Sequence, residues 1–216
     1  MIKAIRASKS ERVLFVFLIA LVFFTFSSFF LLKNKCLFVE KVNLNKINFT
    51  DPENVVVMNI ECGDVIIELY PELSPQSVKR FKTLIENKKY DGSVFYKVAE
   101  NTFVQAGDIE FGNIEYLDYS KIGSGKSGLG TLKSEIDEDF KFSEGSVGLA
   151  RSTKFDTEDS EFFITLKEIP IYQGEYTPIG KVIHGLDILG KIKTGNKGVY
   201  VLRPDYINSF RIFKSN

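Results

Sequence analysis

Apolar residues fill positions 13–32 almost without interruption (VLFVFLIALVFFTFSSFFLL), whereas after residue 54 they come in short runs separated by glycine-rich or acidic loops. The first pattern predicts a helix that is apolar all round, with only Thr25, Ser27 and Ser28 as polar members. Twenty residues at about 1.5 Å rise span roughly 30 Å, the thickness of a bilayer's hydrocarbon core. A cleaved secretory signal is the competing reading, but its apolar region runs about 7–15 residues and ends in a small-x-small site. Here the run is longer and leads into Leu31-Leu32-Lys33-Asn34-Lys35, so an uncleaved anchor is expected.

The second pattern predicts a mainly β domain over 55–213, reached through a polar Asn- and Lys-rich spacer at 33–54. β-branched runs at 55–60 and 65–70 flank Glu61-Cys62-Gly63-Asp64 and read as a hairpin. Ser74-Pro75 offers a helix N-cap and a first-turn proline, and Val78, Phe81, Leu84 and Ile85 follow at helical spacing. Further strands are expected at 94–99, 102–106, 146–150, 161–166, 177–183 and 207–213, with a second short helix over 186–192. Many short strands with two helices suggest a closed eight-stranded antiparallel barrel capped by helices.

Charge and composition narrow the chemistry. The 28 basic and 28 acidic side chains balance, which gives no electrostatic footprint for nucleic acid. One histidine, His184, and two cysteines, Cys36 and Cys62, are too few for a zinc site or a disulfide framework, so no metal is expected and a single bridge stays open. The basic residues flanking the anchor nearly tie, Lys3, Arg6, Lys9 and Arg12 against Lys33, Lys35, Lys41 and Lys46. The tighter N-terminal cluster, residues 1–12, and the free amino group tip the expectation toward a cytoplasmic N-terminus. The main domain then lies outside the cytoplasm, in the periplasm if the cell is Gram-negative.

Two tempting motifs fail on context. Gly123-Ser124-Gly125-Lys126-Ser127 has Ser120 where a phosphate-binding loop needs its first glycine, and no helix follows. His184 has no nucleophile elbow to serve, so it reads as a surface or turn residue.

Three stretches carry more. They are Val94-Phe95-Tyr96-Lys97-Val98 running on to Thr102-Phe103-Val104-Gln105-Ala106-Gly107-Asp108; Gly148-Leu149-Ala150-Arg151-Ser152 followed by Asp159-Ser160-Glu161-Phe162-Phe163; and Gly174-Glu175-Tyr176-Thr177-Pro178-Ile179-Gly180. In this order and spacing the chain resembles the cyclophilin family over roughly 55–213, and looks most similar to bacterial members. The resemblance implies an eight-stranded barrel with two helices, catalysis of X–Pro bond rotation, no cofactor, proline-containing polypeptide clients, and a monomeric domain.

By the same resemblance, the proline pocket falls to Phe103, Phe163 and Tyr172. Gln105 matches the glutamine that orients the catalytic side chain, and Ala150, Arg151 and Ser152 match the stretch that pairs with substrate backbone. Tyr176 falls on the pocket rim. The family's catalytic arginine falls on Lys97, a pocket Phe on Thr102, the Gln before Phe-Phe on Glu161, and a rim Trp on Ile171. Lys97 keeps the charge but loses the planar fork. Lys97 and Glu161 are expected to face one cleft and to form an ion pair in the empty site. The leading expectation is an anchored isomerase assisting the folding of exported or membrane proteins. The alternative is a proline-binding module with little or no catalysis, a chaperone or assembly factor.

Overall fold

In the computed structural model, which describes residues 8–33, 36, 42–44, 47–195 and 199–214, the chain forms two units, 1–38 and 39–216. The basic tail at 1–7 and much of the expected spacer at 33–54 lie outside the described residues.

The first unit holds one helix, α1 (Lys9–Lys33), which contains the expected apolar span and starts four residues earlier. A capping box fixes that start: the Ser8 N–H donates to Glu11 Oε2 at 2.6 Å, and the Glu11 N–H donates to Ser8 Oγ at 3.3 Å. α1 is long and apolar enough to cross a membrane, and none of its apolar window is buried.

The second unit is mainly β. The alternating apolar runs form β1 (Val55–Ile60), β2 (Gly63–Leu69), β3 (Lys97–Ala99), β4 (Phe103–Ala106), β5 (Ser146–Leu149), β6 (Phe162–Thr165), β7 (Pro178–His184) and β8 (Ser209–Ile212). They make one eight-stranded antiparallel sheet in the order β3-β4-β6-β5-β7-β2-β1-β8. It curls as a half-barrel, and β3 and β8 share no ladder among the described residues, so the closed barrel expected from strand count is not seen. Residues 199–207 run beside 92–98 instead, through isolated bridges of Val94 to Tyr206 and Lys97 to Tyr200 and backbone hydrogen bonds such as Phe95 N–H to Asp205 and Val201 N–H to Tyr96, without forming a named strand. Arg203 at φ 55° and Pro204, which has no N–H, interrupt any longer pairing there.

Helix α2 (Pro75–Glu86) buries Val78, Phe81, Leu84 and Ile85, the stripe its spacing predicts. The Phe81 ring packs edge-on against Phe162 at 5.2 Å and Phe210 at 5.5 Å. Ser74 stands at the N-cap but does not cap with its side chain. Its buried hydroxyl donates to the Pro178 carbonyl at 2.5 Å, and Glu135 instead accepts the Gln76 and Ser77 N–H groups at 3.1 and 2.8 Å. A carboxylate from a distant loop thus complements the positive end of the helix. The second domain helix, α3 (Leu186–Leu189), is a single turn, shorter than expected because the chain leaves it at Gly190. Packing begins before the expected boundary, with the Phe49 ring 4.7 Å from Phe213. His184 ends β7 on the exposed surface.

Candidate active site

Successive strand residues face opposite sides of the sheet. Phe162 therefore enters the core beneath α2, and Phe163 turns to the other face. The ladder carries that face across four strands: Lys97 on β3 stands opposite Gln105 on β4, Gln105 opposite Phe163 on β6, and Phe163 opposite Gly148 on β5. One row thus aligns a cation, an amide, an aromatic ring and an open space. The glycine is required, because a Cβ at Gly148 would sit 2.5 Å from Phe163 Cζ and 2.9 Å from Phe142 Cε1.

Around Phe163 an aromatic pocket assembles. Phe103, Phe142, Phe163 and Ile169 are buried, with Phe140, Ala150, Tyr172 and Tyr176 packed against them. Phe163 lies 5.2 Å from Tyr172 and 5.1 Å from Tyr176, both edge-on, and those two tyrosines are 4.6 Å apart. Burial raises the Tyr172 hydroxyl pKa, and the neighbouring Tyr176 adds to the shift. Ile171 is 78% exposed on the single 3-10 turn Pro170–Tyr172 and adds no wall to the pocket.

Beside this pocket lies a polar cleft of about 200 Å³ where Lys97, Gln105, Ala150, Arg151, Ser152 and Glu161 come together. The Lys97 ammonium sits 5.7 Å from the Phe103 ring centroid, within cation–π reach, at the border of the two cavities. The expected ion pair between Lys97 and Glu161 is not formed among the described residues. Glu161 is held elsewhere: its Oε2 accepts a short hydrogen bond from the Tyr96 hydroxyl and another from Gln105 Nε2 at 2.8 Å. Gln105 Nε2 also donates to the Tyr96 hydroxyl oxygen at 2.6 Å. Burial raises the Glu161 pKa, against the lowering effect of the hydrogen bonds from Tyr96 and Gln105. The Tyr96 pKa is pushed far up, first by burial and then by the Glu161 charge.

Arg151 packs between the Phe155 and Tyr176 rings at 4.1 and 5.1 Å, and pairs with Glu175 through Nη2 at 2.8 Å. Its guanidinium therefore braces the pocket rim. The Ser152 N–H and hydroxyl are both engaged by Thr157 Oγ1. Thr102 enters neither cavity: it sits in the β3–β4 turn, with its hydroxyl donating to the Glu100 carbonyl at 3.0 Å. Tyr96, Phe142, Phe140, Ile169 and Gly148 shape the site without having been singled out by sequence. Tyr96 and Gly148, each inside a quoted motif, carried a signal that could have found them.

The glycine-rich stretch does bind a carboxylate, though an internal one. Gly123 and Gly125 N–H groups donate to Asp108 Oδ2 at 2.7 and 3.1 Å, which leaves them no phosphate to receive. A Cβ at Gly125 would collide with the Asp108 carboxylate.

Comparison with known proteins agrees with this geometry. The model of the "Cyclophilin type peptidyl-prolyl cis-trans isomerase/CLD" family matches residues 55–212. The chain belongs to the cyclophilin family. It is 38% identical over 160 residues to a probable peptidyl-prolyl cis-trans isomerase of Brucella suis, covering 73% of this chain and 81% of that one. A peptidyl-prolyl cis-trans isomerase of Acinetobacter baylyi is 29% identical over 143 residues, 64% of this chain and 71% of its own length. A cyclophilin-type isomerase of Cryptosporidium parvum, crystallised in the presence of the dipeptide Ala-Pro, superposes with a TM-score of 0.64 at 25% identity, over 75% of this chain and 99% of that one. This cyclophilin is thus a peptidyl-prolyl cis-trans isomerase, and its sheet is the cyclophilin fold.

Proposed function

We propose that this isomerase takes the proline ring into the Phe103–Phe163–Tyr172 pocket and uses Lys97 as its polar catalytic group. The observation that carries this reading is the ladder row Lys97–Gln105–Phe163, which sets the ammonium at the edge of the aromatic pocket.

Rotation about an X–Pro bond makes and breaks no covalent bond. Its barrier of about 18–20 kcal/mol comes from losing the amide's double-bond character. A catalyst need only bind the twisted amide better than the planar one. Twisting localises a lone pair on the prolyl nitrogen, and a fixed cationic N–H donor meets it only in that state. The apolar walls hold the ring while the rest of the peptide turns. The backbone N–H and C=O of Arg151 make no hydrogen bond to another described residue, which leaves an edge for the client's backbone.

Lys97 offers a single nitrogen where an arginine offers a planar fork. If one transition-state hydrogen bond is lost, at about 1.5–3 kcal/mol, turnover falls roughly tenfold to a hundredfold. That favours a slow isomerase, and its limit is the second reading: a module that grips proline segments with little catalysis. The test is isomerisation of a proline peptide by the full chain in detergent, compared with Lys97→Arg and Lys97→Ala. The expected order of kcat/KM is Lys97→Arg above wild type, and Lys97→Ala roughly tenfold or more below it. Wild-type rates in Lys97→Ala would remove Lys97 from catalysis.

The setting we propose is a membrane surface. α1 supplies one span and the isomerase domain lies outside the cytoplasm, where clients are exported or membrane proteins. Two observations support this: α1 has the length and composition of a span, and neither cysteine is a free thiol, as suits an oxidising compartment.

A further inference from the structure

Three side chains behind the proposed catalytic lysine form a closed hydrogen-bonded triangle, and with Glu161 ionised its proton count has one solution. An ionised carboxylate can only accept, and a tyrosine hydroxyl has one proton. Tyr96 gives that proton to Glu161 Oε2. Its oxygen must therefore accept from Gln105, and Glu161 must accept from Gln105 as well, at 2.6 and 2.8 Å. Both contacts demand the NH2 end of the amide, so Gln105 Oε1 is turned away from the triangle. The group opposite Gln105 in the β3–β4 ladder is Lys97, a donor with no carboxylate partner among the described residues.

We propose that Glu161 and Tyr96 are positioning residues that lock the Gln105 amide in one orientation, leaving its carbonyl oxygen as the acceptor for the Lys97 ammonium opposite it when a client is bound; in this structure the two side chains are not hydrogen-bonded to each other. The proposal rests on the reading of Lys97 as the catalytic group.

The lock has a protonation condition. A protonated Glu161 becomes a donor as well as an acceptor, and the amide is then satisfied in either orientation. Tyr96 keeps its proton throughout, because burial and the neighbouring carboxylate both resist its loss. Glu161 is faced by Asp108, which opposes its ionisation, and by Lys126, which favours it. Tyr90 lies close enough for its own ionisation to be opposed by Glu161, and Lys97, Arg151 and Asp159 line the same cleft. Burial dominates, so Glu161 takes up its proton above the ordinary carboxylate range.

The sign separates this role from a structural one. A buried carboxylate with a raised pKa costs stability when ionised, so the fold gains as pH falls through that range. Catalysis is expected to do the opposite and fall as the lock releases.

The experiment measures kcat/KM against pH, with thermal stability, for the full chain in detergent and for Glu161→Gln, Tyr96→Phe and Lys97→Ala. Wild type should show an acid limb above the usual carboxylate range. Glu161→Gln should lose that limb, fall roughly tenfold at neutral pH, and keep or raise its melting temperature. Tyr96→Phe should lose less and keep the limb, because Glu161 still titrates and still holds one amide N–H. Two results overturn the lock: Glu161→Gln retaining wild-type rate and profile while Lys97→Ala loses activity, or Glu161→Gln losing rate and stability together with its limb intact. If Lys97→Ala keeps wild-type activity, the reading of Lys97 falls and takes the lock with it.

Discussion

Gly148→Ala adds one methyl group at the place where the structure has least room for it. The added Cβ would lie 2.5 Å from Phe163 Cζ, 3.0 Å from Phe163 Cε1 and 2.9 Å from Phe142 Cε1. Carbon atoms rest at about 3.5–4.0 Å, so one ring must retreat by roughly 1 Å or more. Phe142 is 1% exposed and Phe163 3%, and Phe163 is backed by Tyr172 and Tyr176, so neither ring has free volume to enter. Overpacking of this kind costs about 1–3 kcal/mol. For a domain of this size each kcal/mol moves the melting temperature by about 2–4 °C, so a loss of roughly 2–12 °C is expected. The ring that moves is the pocket wall itself, so substrate binding should weaken with it. The expected kinetic signature is a raised KM for a proline peptide, with kcat less affected because two strands, β4 and β6, separate Lys97 from Gly148. Calorimetry and a substrate titration measure the two effects on one preparation. A variant with wild-type melting temperature and wild-type KM would refute the placement of Phe163 across Gly148, and with it the pocket.

Arg80→Ala should be among the most damaging changes away from the site. Arg80 Nη1 meets Asp159 Oδ1 at 2.7 Å with both side chains nearly buried, and its guanidinium also ties down the Gly130 and Leu129 carbonyls. Stranding the buried Asp159 charge costs about 3–5 kcal/mol, readable by chemical denaturation; a change below about 1 kcal/mol would contradict the burial of that pair. For the cellular setting, the chain purified without reductant and then denatured should not react with a thiol reagent, and should expose two thiols after reduction. Two reactive thiols before reduction would count against an oxidising compartment.

The fold was readable where one element obeys one periodicity. All eight strands lie where alternating or β-branched runs were expected, and α2 buries the stripe its spacing names. The misreadings have physical causes. The eight strands form a curled half-barrel, and at its open side 199–207 meets 92–98 by scattered bridges and backbone hydrogen bonds around Arg203 and Pro204, a pairing that strand counting does not register. Ser74 has the composition of a capping residue, yet the Pro178 carbonyl is the acceptor its hydroxyl finds, more than a hundred residues along the chain.

The site divides along the same line. Phe103, Gln105 and Phe163 were singled out by motifs that resemble the cyclophilin family's, and the ladder brings Gln105 and Phe163 into one row beside Phe103. Glu161 was misread because charge alone suggested Lys97 as its partner. Coulomb attraction across a cleft is modest once water screens it, whereas a buried carboxylate must be supplied with donors at hydrogen-bond distance. Tyr96 and Gln105 provide two such donors, and that requirement outweighs the attraction of a lysine that can reach solvent. The consequence reverses the expectation for Glu161→Gln: with an ion pair its removal would free Lys97 and raise the rate, whereas with the triangle it unlocks Gln105 and lowers it. One substitution therefore decides between a carboxylate that blocks the site and one that builds it.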